Sequence, residues 1–293
     1  MYETPELGFE ASEVDDAKFD SVDALLNEIN LFGYYGGIRL LKAITKVFFL
    51  YCREQGIELP QRNFSVRYRS DIPRLVGLSG SSAICTAMLK ALQLFYEVTL
   101  PKEMAPTLCL KAEREELGIQ CGLQDRVIQT YEGLVFMDFN QKLIESRGYG
   151  IYTPLDFAAL PNIYIAYDPK RAEVSGVYHK KLRILFEEHS PDIVAAMSEF
   201  ADLAQQANDA LERACPEKLS ALINANFDLR DKIFSVAESN RQMILQARNT
   251  GCSAKFAGSG GAIVGTYESE EQYRKLSQTM TAIGCQTIKP VIV

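Results

Sequence analysis

The stretch that most limits what this chain can fold into is Ile72-Pro73-Arg74-Leu75-Val76-Gly77-Leu78-Ser79-Gly80-Ser81-Ser82-Ala83, a run of small residues leading into a helix. Behind it, Ile84, Ala87, Met88, Ala91, Leu92 and Phe95 recur at three- and four-residue spacing, which predicts an apolar helical face over Ser81–Tyr96. Ahead of it, Asn63–Asp71 alternates, with Phe64, Val66 and Tyr68 on one side and Ser65, Arg67 and Arg69 on the other. Strand, glycine- and serine-rich loop, helix start: that order builds an anion site. Helix N–H groups and the positive end of the dipole point into the loop, and glycine lets a phosphate approach the backbone. The same residues also suit a plain helix cap, with Ser81 or Ser82 bonding the first turn.

Two familiar phosphate loops do not fit. A Walker loop ends in Gly-Lys-Ser/Thr, and no lysine stands here before Lys90. A dinucleotide fingerprint needs an acidic residue closing a second parallel strand; Glu97 and Glu103 lie near that distance, but no strand ends there.

Elsewhere the pattern is mixed. Residues 1–20 are acidic and weakly patterned, which predicts a frayed or looped start. Helical patterning runs from Ser21, breaks at Gly33 and resumes from Ile38 to about Glu54. Further helices are expected over Thr107–Leu117, Arg126–Tyr131 and most of 183–249. Strands are expected at Leu134–Phe139, Gly148–Thr153, Ile163–Tyr167 and Thr287–Val293, with a strand–turn–strand over Lys255–Tyr267 through Gly258-Ser259-Gly260-Gly261. Strands and helices without regular alternation point to an α+β fold in two halves.

Bulk numbers exclude several classes. A formal net charge of −7 argues against a nucleic-acid backbone as the main partner. The longest apolar run, Val47–Cys52, is far too short to span a membrane. Nine acids and one base in the first thirty residues are the reverse of a targeting peptide. Seven scattered cysteines fit reduced thiols in the cytoplasm better than a disulfide frame or zinc site. With only His179 and His189 present, histidine-based metal or triad chemistry is not expected. Oligomeric state is open.

The segment Ala112–Asp125 carries two carboxylates, Glu113 and Asp125, on either side of a glycine-broken turn. Phosphoryl transfer needs a Mg²⁺ ligand and a proton acceptor. On spacing alone these carboxylates suit a solvated helix face better.

The loop resembles the second motif of the GHMP small-molecule kinases (galactose, homoserine, mevalonate and phosphomevalonate kinases), which read Pro, three residues, then Gly-Leu-Gly-Ser-Ser-Ala. Galactokinases of that family carry Ala-Glu, a glycine, then Cys-Gly, two residues and Asp, matched here by Ala112, Glu113, Gly118, Cys121, Gly122 and Asp125. The finer resemblance is to plant-type glucuronokinases. It runs through Gly33-Tyr34-Tyr35-Gly36-Gly37, Arg39-Leu40-Leu41, the loop itself, Gly122-Leu123-Gln124-Asp125-Arg126-Val127, Met137-Asp138-Phe139, Asn226-Phe227-Asp228 and Gly258-Ser259-Gly260-Gly261-Ala262.

The resemblance implies a two-domain α+β kinase, with an ATP-binding domain over 1–155 and a ferredoxin-like domain over 156–293. The implied reaction is ATP + D-glucuronate → ADP + glucuronate 1-phosphate, with Mg²⁺. Gly77, Leu78, Ser79, Gly80, Ser81, Ser82 and Ala83 would cradle the phosphates, and Glu113 would bind the metal. The loop is one residue longer than the general motif, so anchoring on the helix selects Ser82 as second metal ligand, while anchoring on the leading glycine selects Ser81; the helix is preferred. Asp125 would be the catalytic base. Tyr34, Tyr35, Gly258, Ser259 and Gly260 would lie on the sugar side. A sugar acid also needs a cation, and Arg126 or Arg39 is the candidate, an ordinary surface ion pair being the alternative for each. The family's opening strand motif, a basic residue followed by Leu, Gly and a Ser/Thr-Asp pair, has no counterpart in Met1–Asn30. The first domain is therefore expected to lack that strand. The remaining alternatives are a kinase for galactose or arabinose and a non-catalytic nucleotide-binding relative.

Overall fold

The computed structural model describes residues 1–10, 16–32, 38–73, 76–170, 186, 190–213, 215–234 and 236–292. The chain forms two compact units, Met1–Asp71 with Ser79–Thr153, and Ile72–Leu78 with Pro154–Val293. This differs from a single division at 155/156, because residues 72–78 join the second unit. The reason is apolar: Val76 and Leu78 pack with Tyr167 and Ala262.

The first unit opens with strands, not with a loop. β1 (Tyr2–Thr4), β2 (Leu7–Glu10), β3 (Asp16–Phe19) and β4 (Asn63–Arg67) form one sheet in the order β1-β4-β2-β3. β2 runs parallel to β4, and the other two pairings are antiparallel. The expectation for residues 1–20 is thus corrected. Strands of three and four residues are too short to show a period, yet Leu7 and Phe9 are fully buried, and Phe9 meets Phe64 edge-on at 6.0 Å. The kinase opening motif is missing as sequence, but strands stand in this region all the same.

Against this sheet lie α1 (Val22–Phe32), α2 (Arg39–Glu54) and α3 (Gly80–Tyr96), sharing one core. α2 turns Leu41, Ile44, Val47, Phe48 and Cys52 inward at helical spacing. α3 buries Ser82, Cys85, Thr86, Met88, Leu89, Leu92 and Tyr96. α4 (Met104–Lys111) runs on into a π turn over Ala112–Glu116, and α5 is Gln124–Tyr131. β5 (Leu134–Asp138), α6 (Gln141–Arg147) and β6 (Ile151–Leu155) follow; the sequence pattern misses α6, which buries no residue.

In the second unit, β7 (Ile163–Tyr167), β8 (Lys255–Phe256), β9 (Ala262–Thr266) and β10 (Gln286–Ile288) make an antiparallel sheet ordered β10-β7-β9-β8. Its helices are α7 (Pro191–Glu212), α8 (Glu217–Ile233), α9 (Glu238–Arg248) and α10 (Glu270–Ala282). Phe227, Met243, Ile244, Leu276 and Met280 cover Tyr164 and Ile263 of the sheet. The mixed strands and helices of each unit are the expected α+β architecture. None of the seven cysteines forms a disulfide among the described residues. Among the described residues no helix is long and apolar enough to cross a membrane.

Candidate active site

The phosphate-type loop has the backbone its glycines foretell. Gly77 has φ +76°, and a Cβ there would run into the Gly260 carbonyl oxygen, so only glycine fits. Ser79 is left-handed at φ 57°, and α3 begins at the next residue, Gly80. No side chain caps this helix. The cap reading of Ser81 and Ser82 therefore falls, and the first turn keeps its N–H groups for another partner. Ser82 is fully buried, and its Oγ donates to the Ser79 carbonyl at 2.9 Å. The Ser79 carbonyl also accepts from the Ala83 N–H at 3.1 Å and from Gln129 Nε2 at 3.1 Å.

Glu113 sits in the π turn, fully buried. Its backbone carbonyl accepts from the Ile119 N–H at 2.8 Å, closing the bend around Gly118. Arg126, 2 % exposed, holds one carboxylate oxygen of Glu113, with Nε at 2.7 Å and Nη2 at 2.5 Å from Oε2. Nη1 of the same guanidinium donates to the Gly122 carbonyl at 2.8 Å and to Asp125 Oδ2 at 3.3 Å. Arg126 thus ties the two carboxylates together. Glu113 Oε1 is buried and has no hydrogen-bond partner. Asp125 lies in the first turn of α5 with 43 % of its side chain exposed, open to a substrate.

Three thiols surround this pair, and none is a nucleophile near neutral pH. Burial pushes Cys109 up to about 12 and Cys121 up to about 11, and Glu113's charge adds to both. Cys85 is raised by burial and then by Glu113. The buried Glu113 Oε1 without a hydrogen-bond partner is a hard oxygen donor, which suits Mg²⁺.

The first unit therefore gathers Ser79, Gly80, Ser81, Ser82, Ala83, Glu113, Asp125 and Arg126 around α3 and α5. Arg126 needs correction. It is not an open guanidinium awaiting a sugar acid, because Glu113, Gly122 and Asp125 occupy all three of its nitrogens. Arg39 is exposed at the start of α2. Tyr34 and Tyr35 lie outside the described residues.

In the second unit, Gly258, Ser259 and Gly260 form the turn between β8 and β9. Arg230 of α8 clamps it, with Nη1 2.9 Å from the Gly258 carbonyl oxygen and Nη2 2.7 Å from that of Ser259. The guanidinium lies over the Phe256 ring at 4.7 Å. Sequence reasoning misses Arg230 and Gln129. Arg230 has no local signal, its partners being far along the chain. Gln129 had one: it follows Asp125 by four residues, on the same side of a short helix.

Residues 40–133 match the family model described as the GHMP kinases N terminal domain. Glucuronokinase 1 of Arabidopsis thaliana is 44% identical over 255 residues, 85% of this chain and 70% of that protein. Probable glucuronokinase 2 of the same plant is 44% identical over 256 residues, 85% of this chain and 69% of that protein. Among solved structures, Lactococcus lactis galactokinase complexed with galactose superposes with a TM-score of 0.76 at 15% identity, covering 99% of this chain and 83% of that one.

Proposed function

The chain belongs to the GHMP kinases and is a phosphotransferase acting on a sugar hydroxyl, and from that premise we propose that it phosphorylates the anomeric hydroxyl of D-glucuronate with ATP, yielding ADP and glucuronate 1-phosphate. The observation that carries the site assignment is the buried Oε1 of Glu113, which has no hydrogen-bond partner. A fully buried carboxylate oxygen without a donor is expensive unless a cation completes it.

Residues 77–83 cradle the ATP phosphates with backbone N–H groups at the uncapped start of α3. Ser82 and Glu113 would hold Mg²⁺, which would supply positive charge against the phosphates. Asp125 takes the proton of the acceptor hydroxyl, a contribution worth about 10²–10⁴-fold in rate. Arg126 keeps that carboxylate in place while neutralising Glu113. With Arg126 engaged, Arg39 is the candidate guanidinium for the sugar's carboxylate. The family resemblance assigns Gly258, Ser259 and Gly260 to the sugar. Seven cysteines in no disulfide among the described residues support a reducing, cytoplasmic setting.

The test is ADP release with Mg-ATP and D-glucuronate, galactose or arabinose as acceptor. Turnover selective for glucuronate, lost in Asp125→Asn while ADP still binds, is the expected result. Equal use of a neutral sugar would overturn the acceptor, and full activity of Asp125→Asn would overturn the base.

A further inference from the structure

We infer that Gln129 is a positioning residue that fixes the phosphate loop against the helix bearing the catalytic base. The inference rests on residues 77–83 being the phosphate cradle. Ser79 holds a left-handed backbone, φ 57°, a conformation a non-glycine residue keeps only when its surroundings enforce it. Three donors converge on its carbonyl. Two of them, the Ala83 N–H and the Ser82 hydroxyl, belong to α3 and would travel with the loop if it moved. The third, Gln129 Nε2 at 3.1 Å, comes from α5.

The other end of the same amide is also fixed. Thr86 Oγ1, buried on α3, lies 3.4 Å from Gln129 Oε1. Thr86 also contacts Cys109 Sγ of α4 at 3.7 Å. Gln129 therefore spans two points, Ser79 in the loop just before α3 and Thr86 about two turns further along. Asp125 stands one helical turn before Gln129 on α5, so both side chains share a face. The amide sets how the loop stands relative to the base, and it does so with its donor. An acceptor alone would meet the Ser79 carbonyl oxygen head-on.

Gln129→Glu and Gln129→Met separate the donor from the shape. Both keep the length of the side chain. Binding of Mg-ADP is measured by calorimetry without any acceptor sugar, at several pH values, each as a ratio to wild type. At neutral pH both variants should bind ADP roughly three- to tenfold more weakly, the loss expected for one hydrogen bond, and more for the carboxylate. As pH falls through the carboxyl range, Gln129→Glu gains an O–H donor and should recover toward wild type, while Gln129→Met stays flat. A purely structural role would not give this split.

Affinities equal to wild type in both variants, or an equal loss in both without acid recovery, would overturn the inference. A wild type that binds no ADP would defeat the phosphate-loop reading and this inference together. Because no sugar is present, a wrong acceptor assignment leaves the result standing. Recovery at low pH in the glutamate variant alone establishes the donor role.

Discussion

Removing Arg126 isolates a charge that the fold cannot leave alone. Arg126→Met deletes two bonds to Glu113 Oε2, at 2.7 and 2.5 Å, and one to the Gly122 carbonyl at 2.8 Å. Glu113 is fully buried and its Oε1 already lacks a partner, so the variant strands a carboxylate with both oxygens bare. Breaking a buried pair from one side destabilises by about 3–5 kcal/mol. At about 2–4 °C per kcal/mol, the melting temperature should fall by roughly 6–20 °C. The double variant Arg126→Met/Glu113→Gln removes the charge as well and should regain most of that loss while remaining inactive, because the proposed metal ligand is gone. Urea and thermal unfolding of the three proteins would read all of this. A single variant within about 1 kcal/mol of wild type, with no rescue in the double, would refute the reasoning.

Three further outcomes follow from named features. Gly77→Ala combines a φ of +76° with a clash against the Gly260 carbonyl, so it should lower both stability and nucleotide affinity, measured by thermal shift with and without Mg-ADP. Lys255 is partly buried, and desolvation first, then the Arg230 guanidinium, brings it down to about 8. The unfolded chain therefore binds this proton more tightly, and the handicap is fully present below about pH 8 and fades as pH rises toward the ordinary lysine value of 10.5. Lys255→Met should be more stable than wild type at pH 7, with the difference closing by pH 10.5; a difference constant across that range would contradict the burial argument. Arg230→Gln should loosen the Gly258–Ser259 turn, raising the sugar KM more than the ATP KM in steady-state kinetics.

The parts of this fold legible in the sequence are those that repeat a period often enough to count. The inward face of α2, the alternation of Phe64 and Val66 in β4, and the five residues of β7 are such cases. β1 and β2 offer three and four residues in an acidic setting, so burial of Leu7 and Phe9 leaves no pattern to read. α10 hides for the opposite reason: of its thirteen residues only Leu276 and Met280 are buried, too few for an apolar stripe. At the site, the family resemblance pointed to Glu113, Asp125 and either Ser82 or Ser81. What it could not give was the traffic between them. Arg126 reads in sequence as an available cation beside a base, and only packing shows its nitrogens already engaged.

The chain passes from the first unit to the second at Asp71–Ile72, returns at Leu78–Ser79 and crosses again at Thr153–Pro154. A growing polypeptide emerges N-terminus first and folds as it does so. The leading half of the phosphate loop is made early, but Tyr167 and Ala262, on which Val76 and Leu78 rest, come much later, Ala262 close to the end. Until then Val76 and Leu78 have nothing to lie against, and Gly77 has no Gly260 carbonyl to abut. The proposed phosphate loop is consequently among the last pieces to reach its final form during synthesis. A ribosome-stalled chain ending before Ala262 should not retain ATP.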